Sequence, residues 1–157
     1  MNMILTFTNE MHSIKDTYQG IAQGEDPRYA VGAFLNDFFD YHADARQALI
    51  ADPIEVAEHP QPEHWQWALF CAASIEYLCQ QYGMDCPVWV HTPIYATALS
   101  EPWFFVPTAL HNPAVRARYE RETPDPFTRR NIFCGTRILM HKKATHKATA
   151  HHIMQPA

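Results

Sequence analysis

The sequence predicts an all-α fold: one irregular helical bundle centred on residues 62–82, with short, proline-started helices in its C-terminal half. Three observations predict it. Apolar residues recur at steps of three and four along most of the chain. One such stretch, "WQWALFCAASIEYLC", is apolar nearly all round, so it has to be surrounded by other elements. Alternation of the strand type is confined to brief pieces such as "VWVH" and "WFFV". A chain of 157 residues with 13% aromatics and 18% charged side chains is one domain's worth and buries a core without metal or disulfide staples. We expect residues 1–145 to form that domain and residues 146–157 to be a mobile tail.

Taken in order, "TNEMHSIKDTYQGIAQG" opens on Thr8 and Asn9, carries Met11, Ile14, Tyr18 and Ile21 on one stripe, and meets Gly24 at its end. Asp26-Pro27 is an N-cap followed by proline at the first helical position. Val31, Phe34, Leu35 and Phe38 then form one apolar face, leaving Asn36, Asp37, Asp40 and Asp44 for the solvent face. This helix either runs to Ala51 or breaks near Tyr41-His42. "DPIEVAEHPQPEH" is a proline-rich, acidic connector to the central helix, for which Gly83 supplies the C-cap. Within residues 65–79 only Gln66, Ser74 and Glu76 are polar. Beyond Asp85 prolines recur every several residues, and we expect short helices over residues 92–100, 112–121 and 124–130 and a last one over 136–145.

Charge is unevenly placed. Residues 1–100 hold 3 basic and 13 acidic side chains, and residues 101–157 hold 9 basic and 4 acidic, so a net −5 divides into −10 and +5. Such asymmetry arises when two regions pack together and neutralise each other, or when the basic end meets an acidic partner or phosphates. No run of residues is long and apolar enough to span a membrane. The N-terminal "MNMILTFTNEMH" lacks a basic start and a small-residue cleavage site, so we expect no signal peptide and a cytoplasmic location. Cys71, Cys79, Cys86 and Cys134 show no CxxC spacing and read as reduced thiols, the first two as small buried hydrophobes.

Enzyme and cofactor motifs are sparse. There is no HExxH, no GxSxG, no phosphate loop and no dinucleotide fingerprint, so no catalytic residue, metal site or cofactor is assigned. His141 and His146, five apart, do not share a helix face, and His151-His152 lies in the tail. Asp37, Asp40 and Asp44 follow helical spacing and read as a solvated face.

Three features remain. "EPWFF" places Trp103, Phe104 and Phe105 together, either as a lid on the core or as a groove for a partner's helix. From Phe127 to Lys147 the chain holds Arg129, Arg130, Arg137, Lys142, Lys143 and Lys147 and no acid, a set suited to phosphates or an acidic partner. Arg129 and Arg130 precede the apolar Ile132-Phe133 step, and a guanidinium fork tolerates partial burial against a carboxylate. At least one of the two therefore reads as an internal staple to an acid from residues 1–100 or to Glu120 or Glu122.

"EPWF", followed by "ETPDPFTRRNIFCGTRIL", resembles the C-terminal signature of a bacterial group of small helical proteins: Pro-Trp-Phe, then Ser-Pro-x-Pro-Phe, two or three arginines, and Ile-Phe. "CPVWVHTP" and "ARQALIADP" are similar to upstream pieces of that group. The likeness covers residues 30–140 and is specific over the last forty; Thr128 stands where the group usually has a third arginine. In that group the module stands alone or follows a helix-turn-helix domain, and it is suspected of toxin–antitoxin or regulatory roles. Taken with the residue features above, we expect a non-enzymatic, protein-binding regulator, an antitoxin-like or regulatory member of a bacterial gene pair, offering Trp103, Phe104 and the basic residues Arg129, Arg130, Arg137, Lys142 and Lys143. A nucleic-acid-binding regulator using the same basic run, and a small enzyme of unidentified chemistry, are the alternatives.

Overall fold

The structure, a computed structural model, describes residues 11–137 and Leu139. Ser13 starts helix α1 (Ile14–Ala22): its side chain accepts the Asp16 N–H, and Ile14, Tyr18 and Ile21 turn inward. The helix thus begins well after Thr8 and Asn9, which lie outside the described residues, and Met11 stays exposed. Asp26 caps α2 (Pro27–Asn36) as expected, accepting the Arg28 N–H, and Pro27 occupies the first turn, where its missing N–H costs nothing.

Beyond Asn36 the helix widens, and it breaks at His42 (φ −134°), the second of its two expected ends. A π-helical turn (Asp37–Tyr41) and a 3₁₀ turn (Ala43–Ala45) lead into the short α3 (Arg46–Ala51). The wider turn changes which residues face inward, and Asp37, expected on the solvent face, is buried at 5% exposure. It accepts the His12 backbone N–H at 2.7 Å and lies 2.8 Å from His12 Nδ1. Arg46 locks the break: its Nε donates to the Phe38 carbonyl, and its guanidinium lies over the rings of Phe38, Phe39 and Tyr82.

The central helix α4 (Pro62–Tyr82) has the expected bounds, from a proline start to Gly83 in the left-handed region at φ +61°. The Gly83 and Met84 N–H groups both turn back to the Cys79 carbonyl. Ala68, Leu69, Phe70, Cys71, Ala72, Ala73 and Ile75 are all buried, so α1, α6 and the segment after Gly83 can pack on several of its sides.

The C-terminal half is less helical than its sequence predicts. Residues 92–100 form a single turn, closed by Tyr95 and Ala96 N–H bonds to the Thr92 carbonyl, and then run on irregularly. "VWVH" is a 3₁₀ turn (Val88–His91), and a further 3₁₀ turn spans Pro107–Leu110. Asn112 caps α5 (Pro113–Glu122) through bonds from Ala114 and Val115, and α6 is one turn, Asp125–Thr128. Two short strands, β1 (Trp103–Phe104) and β2 (Ile132–Phe133), pair in parallel with Trp103 opposite Ile132. Asn131, at φ +66°, turns the chain from α6 into β2 while its side chain donates to the Leu99 carbonyl. Thr136 and Arg137 form a bend where a helix was expected; the rest of that helix and the tail 146–157 lie outside the described residues. The whole is a mostly helical single domain.

Candidate functional site

Glu76 is the one carboxylate in the apolar run of α4, and at 4% exposure it sits inside the fold. Water cannot solvate it there, so its charge must be met by protein groups. One turn of α6 delivers them. Phe127 packs against Phe70 and Tyr77 of α4, which sets the following arginines over Glu76. Arg130 Nη1 donates to Glu76 Oε1 at 2.9 Å and to the Pro126 carbonyl at 2.8 Å. Its Nε donates to the Tyr95 carbonyl at 2.7 Å and its Nη2 to the Val90 carbonyl at 3.3 Å. Arg129 Nη2 bonds the second carboxylate oxygen.

Burial would raise the Glu76 pKa, but the hydrogen bonds and charges of Arg129 and Arg130 outweigh it and hold the carboxyl below its usual value. Burial likewise pulls the Arg130 guanidinium down, and Glu76 partly offsets this. No buried side-chain nitrogen or oxygen among the described residues lacks a hydrogen-bond partner. The arginine doublet thus divides. Arg130, 1% exposed, is wholly internal and has no face for an external anion; Arg129 joins the same carboxylate while keeping 55% of its side chain in solvent.

The aromatic cluster is also taken up largely by the fold. Trp103 meets Trp67 edge-on at 5.1 Å and Phe105 at 4.8 Å. Phe104, buried, stacks on Phe133 at 4.6 Å beneath the Arg116 guanidinium. Trp103 is half-buried, which leaves a partial edge rather than a free aromatic face.

Beside this layer lies an open cleft of about 650 Å³, lined by Arg118, Tyr119, Glu122, Cys134, Gly135 and Arg137. Its floor is fixed by the Gly135 N–H donating to Thr123 Oγ1 at 2.9 Å. Gly135 sits at φ +82° with the Tyr119 ring close by, so a Cβ there would come within 3.2 Å of that ring. Arg118 is 3.3 Å from Glu122, whereas Arg137 is exposed and has no ion-pair partner among the described residues. Burial pushes the Cys134 thiol up to about 12, so at neutral pH it is a thiol and a poor nucleophile. Of the expected site residues the structure therefore brings Arg137 to a cleft and Arg129 to the surface, and commits Arg130 and Phe104 to the interior. Lys142 and Lys143 lie outside the described residues.

Among the described residues no three His, Cys, Asp or Glu side chains are placed to hold one metal ion. In the same residues no helix is long and apolar enough to cross a membrane. No protein-family model matches the chain, and neither a curated protein nor a solved structure is detectably similar to it.

Proposed function

We propose that this chain is a non-enzymatic protein-binding module of the bacterial cytoplasm, the antitoxin-like or regulatory member of a gene pair. Its docking element on this reading is the cleft between α5 and the chain beyond β2. The carrying observation is the cleft itself: among the described residues, a cavity edged by Arg118, which pairs with Glu122 at 3.3 Å, and by Arg137, which has no ion-pair partner there. A guanidinium at the rim of such a cavity suits an acidic segment of a partner, held by two-pronged hydrogen bonds. The resemblance of "EPWF" and "ETPDPFTRRNIF" to the bacterial group supports the same role.

Among the described residues a phosphate-tracking surface draws less support. On α5, Arg116 lies 3.7 Å from Glu120 and Arg118 lies 3.3 Å from Glu122, while Arg130 and Arg129 are held by Glu76. A nucleic-acid surface needs several unpaired cations in a row. Co-expression with the neighbouring gene's product tests the proposal. The pair should co-purify, and Arg118→Glu with Arg137→Glu should abolish the complex without moving the thermal melt. Co-purification that survives both charge reversals would refute this placement of the docking site. Salt-sensitive binding to duplex DNA by the isolated protein would favour the nucleic-acid reading instead.

A further inference from the structure

A second groove lies elsewhere on the chain, built from the acidic connector, the start of α4 and the turn after the 3₁₀ segment at Val88–His91. Val56, Pro60, Pro62, Trp65 and Ile94 line it, with Glu58, and its volume is about 460 Å³. Ile94 is 51% exposed, and Trp65 is half-buried. Pro60 and Pro62 carry no N–H, so the wall they form cannot extend a sheet onto an incoming strand. What it offers is apolar contact on an indole and an isoleucine.

Two buried side-chain hydrogen bonds join the segments that wall the groove. Tyr95 Oη donates to the Ile54 carbonyl at 2.9 Å, and Trp89 Nε1 donates to the Ile50 carbonyl at 3.0 Å. These two buried bonds fasten the segment bearing Ile94 to the one leading into Val56. The Tyr95 carbonyl is itself held by Arg130 Nε, so the walls are tied to the Glu76 centre.

Charge specifies the occupant. Between Arg46 and Arg116 the chain contains no lysine or arginine at all, and every residue lining the groove comes from that stretch. Exposed Glu55, Glu58 and Glu63 stand beside its lining residues, and Lys15, at 3.2 Å from Glu55, meets only that one. An apolar floor bordered by Glu58 and Glu63, neither of which has an ion-pair partner among the described residues, disfavours an acidic peptide and attracts a cationic one. We propose that this groove docks a segment of a partner protein in which aliphatic side chains are flanked by lysine or arginine. It is a separate surface from the Arg118–Arg137 cleft and takes the opposite charge.

The test is a selection of short random peptides displayed on phage, with the full chain as bait and Ile94→Asp as the counter-bait. Ile94 is exposed, so this variant should melt like the parent, which a thermal scan checks. Peptides retained by the parent and lost on Ile94→Asp should combine Leu, Ile, Met or Phe with Lys or Arg. A synthesised winner should bind about tenfold more weakly to Glu58→Lys/Glu63→Lys, and more weakly still as salt rises from ~0.05 to ~0.5 M. The proposal is overturned if no peptide depends on Ile94, if the winners are acidic, or if charge reversal at Glu58 and Glu63 leaves affinity unchanged. Sedimentation showing the parent as a dimer and Ile94→Asp as a monomer would also overturn it, because a second copy would then fill the groove.

Discussion

Replacing Arg130 with methionine keeps the apolar stem and deletes the guanidinium. Four hydrogen bonds go with it: to Glu76 Oε1 at 2.9 Å and to the carbonyls of Tyr95, Pro126 and Val90 at 2.7, 2.8 and 3.3 Å. At 1% exposure no water reaches the site to replace them. Each orphaned buried carbonyl costs about 1–3 kcal/mol. The low end applies to Val90, whose bond is long, and Glu76 retains Arg129. The loss is then about 4 kcal/mol, a large share of the ~5–15 kcal/mol that holds a domain of this kind together. At about 2–4 °C per kcal/mol, the melting midpoint should fall by about 8–16 °C. Thermal and urea denaturation followed by circular dichroism measure this. Arg129→Met is the internal control: its side chain is 55% exposed, so solvent screening limits its pair to about 0–1 kcal/mol. Adding Glu76→Met to Arg130→Met should not restore stability, since the three carbonyls stay unpaired, whereas swapping a simple buried ion pair for apolar residues is often neutral. An Arg130→Met protein within about 1 kcal/mol of the parent, or an Arg129→Met protein that loses more, would refute this account.

The Glu76 carboxyl titrates below its usual value in the folded chain, so its contribution is complete above the unfolded glutamate pKa of about 4.3 and is lost as pH falls below it. The urea midpoint should therefore decline from about pH 5 downward, and Glu76→Gln should flatten the curve in that window; a parallel decline in both proteins would remove Glu76 as the cause. Gly135→Ala should cost about 1–2 kcal/mol in urea melts, because alanine at φ +82° is strained and its methyl meets Tyr119. An unchanged midpoint would mean that the cleft floor yields.

The elements legible in the sequence are those whose cause is local. Proline starts, Asp26 and Asn112 caps and the Gly83 stop depend on neighbours a few residues away, so α2, α4 and α5 emerge close to their expected bounds. The all-round apolarity of residues 65–79 likewise dictates burial without reference to any partner. The π turn after Asn36 was not legible: it turns Asp37 inward where helical spacing predicts it outside, while Asp40 and Asp44 stay exposed as expected. Residues 92–100, expected as a helix, form one turn and then run irregularly, with Arg130 and Asn131 side chains bonding the Tyr95 and Leu99 carbonyls.

For the candidate site, residue chemistry pointed to an arginine staple, and a carboxylate alone in an apolar helix was the available sign that Glu76 is its partner. Which arginine goes inside was beyond reach, because Arg129 and Arg130 are chemically identical neighbours. The single turn of α6 decides it: Phe127 seats on Phe70, and the rotation that follows points Arg130 into the core and Arg129 toward solvent. By itself the sequence determined the all-α class, the helices with local caps and the charge division, since these follow from composition and short-range geometry. Only the tertiary structure decided which side chains meet across more than fifty residues, and hence which cations and aromatics stay available to a partner. Those contacts are set by packing between elements, and no local pattern encodes them.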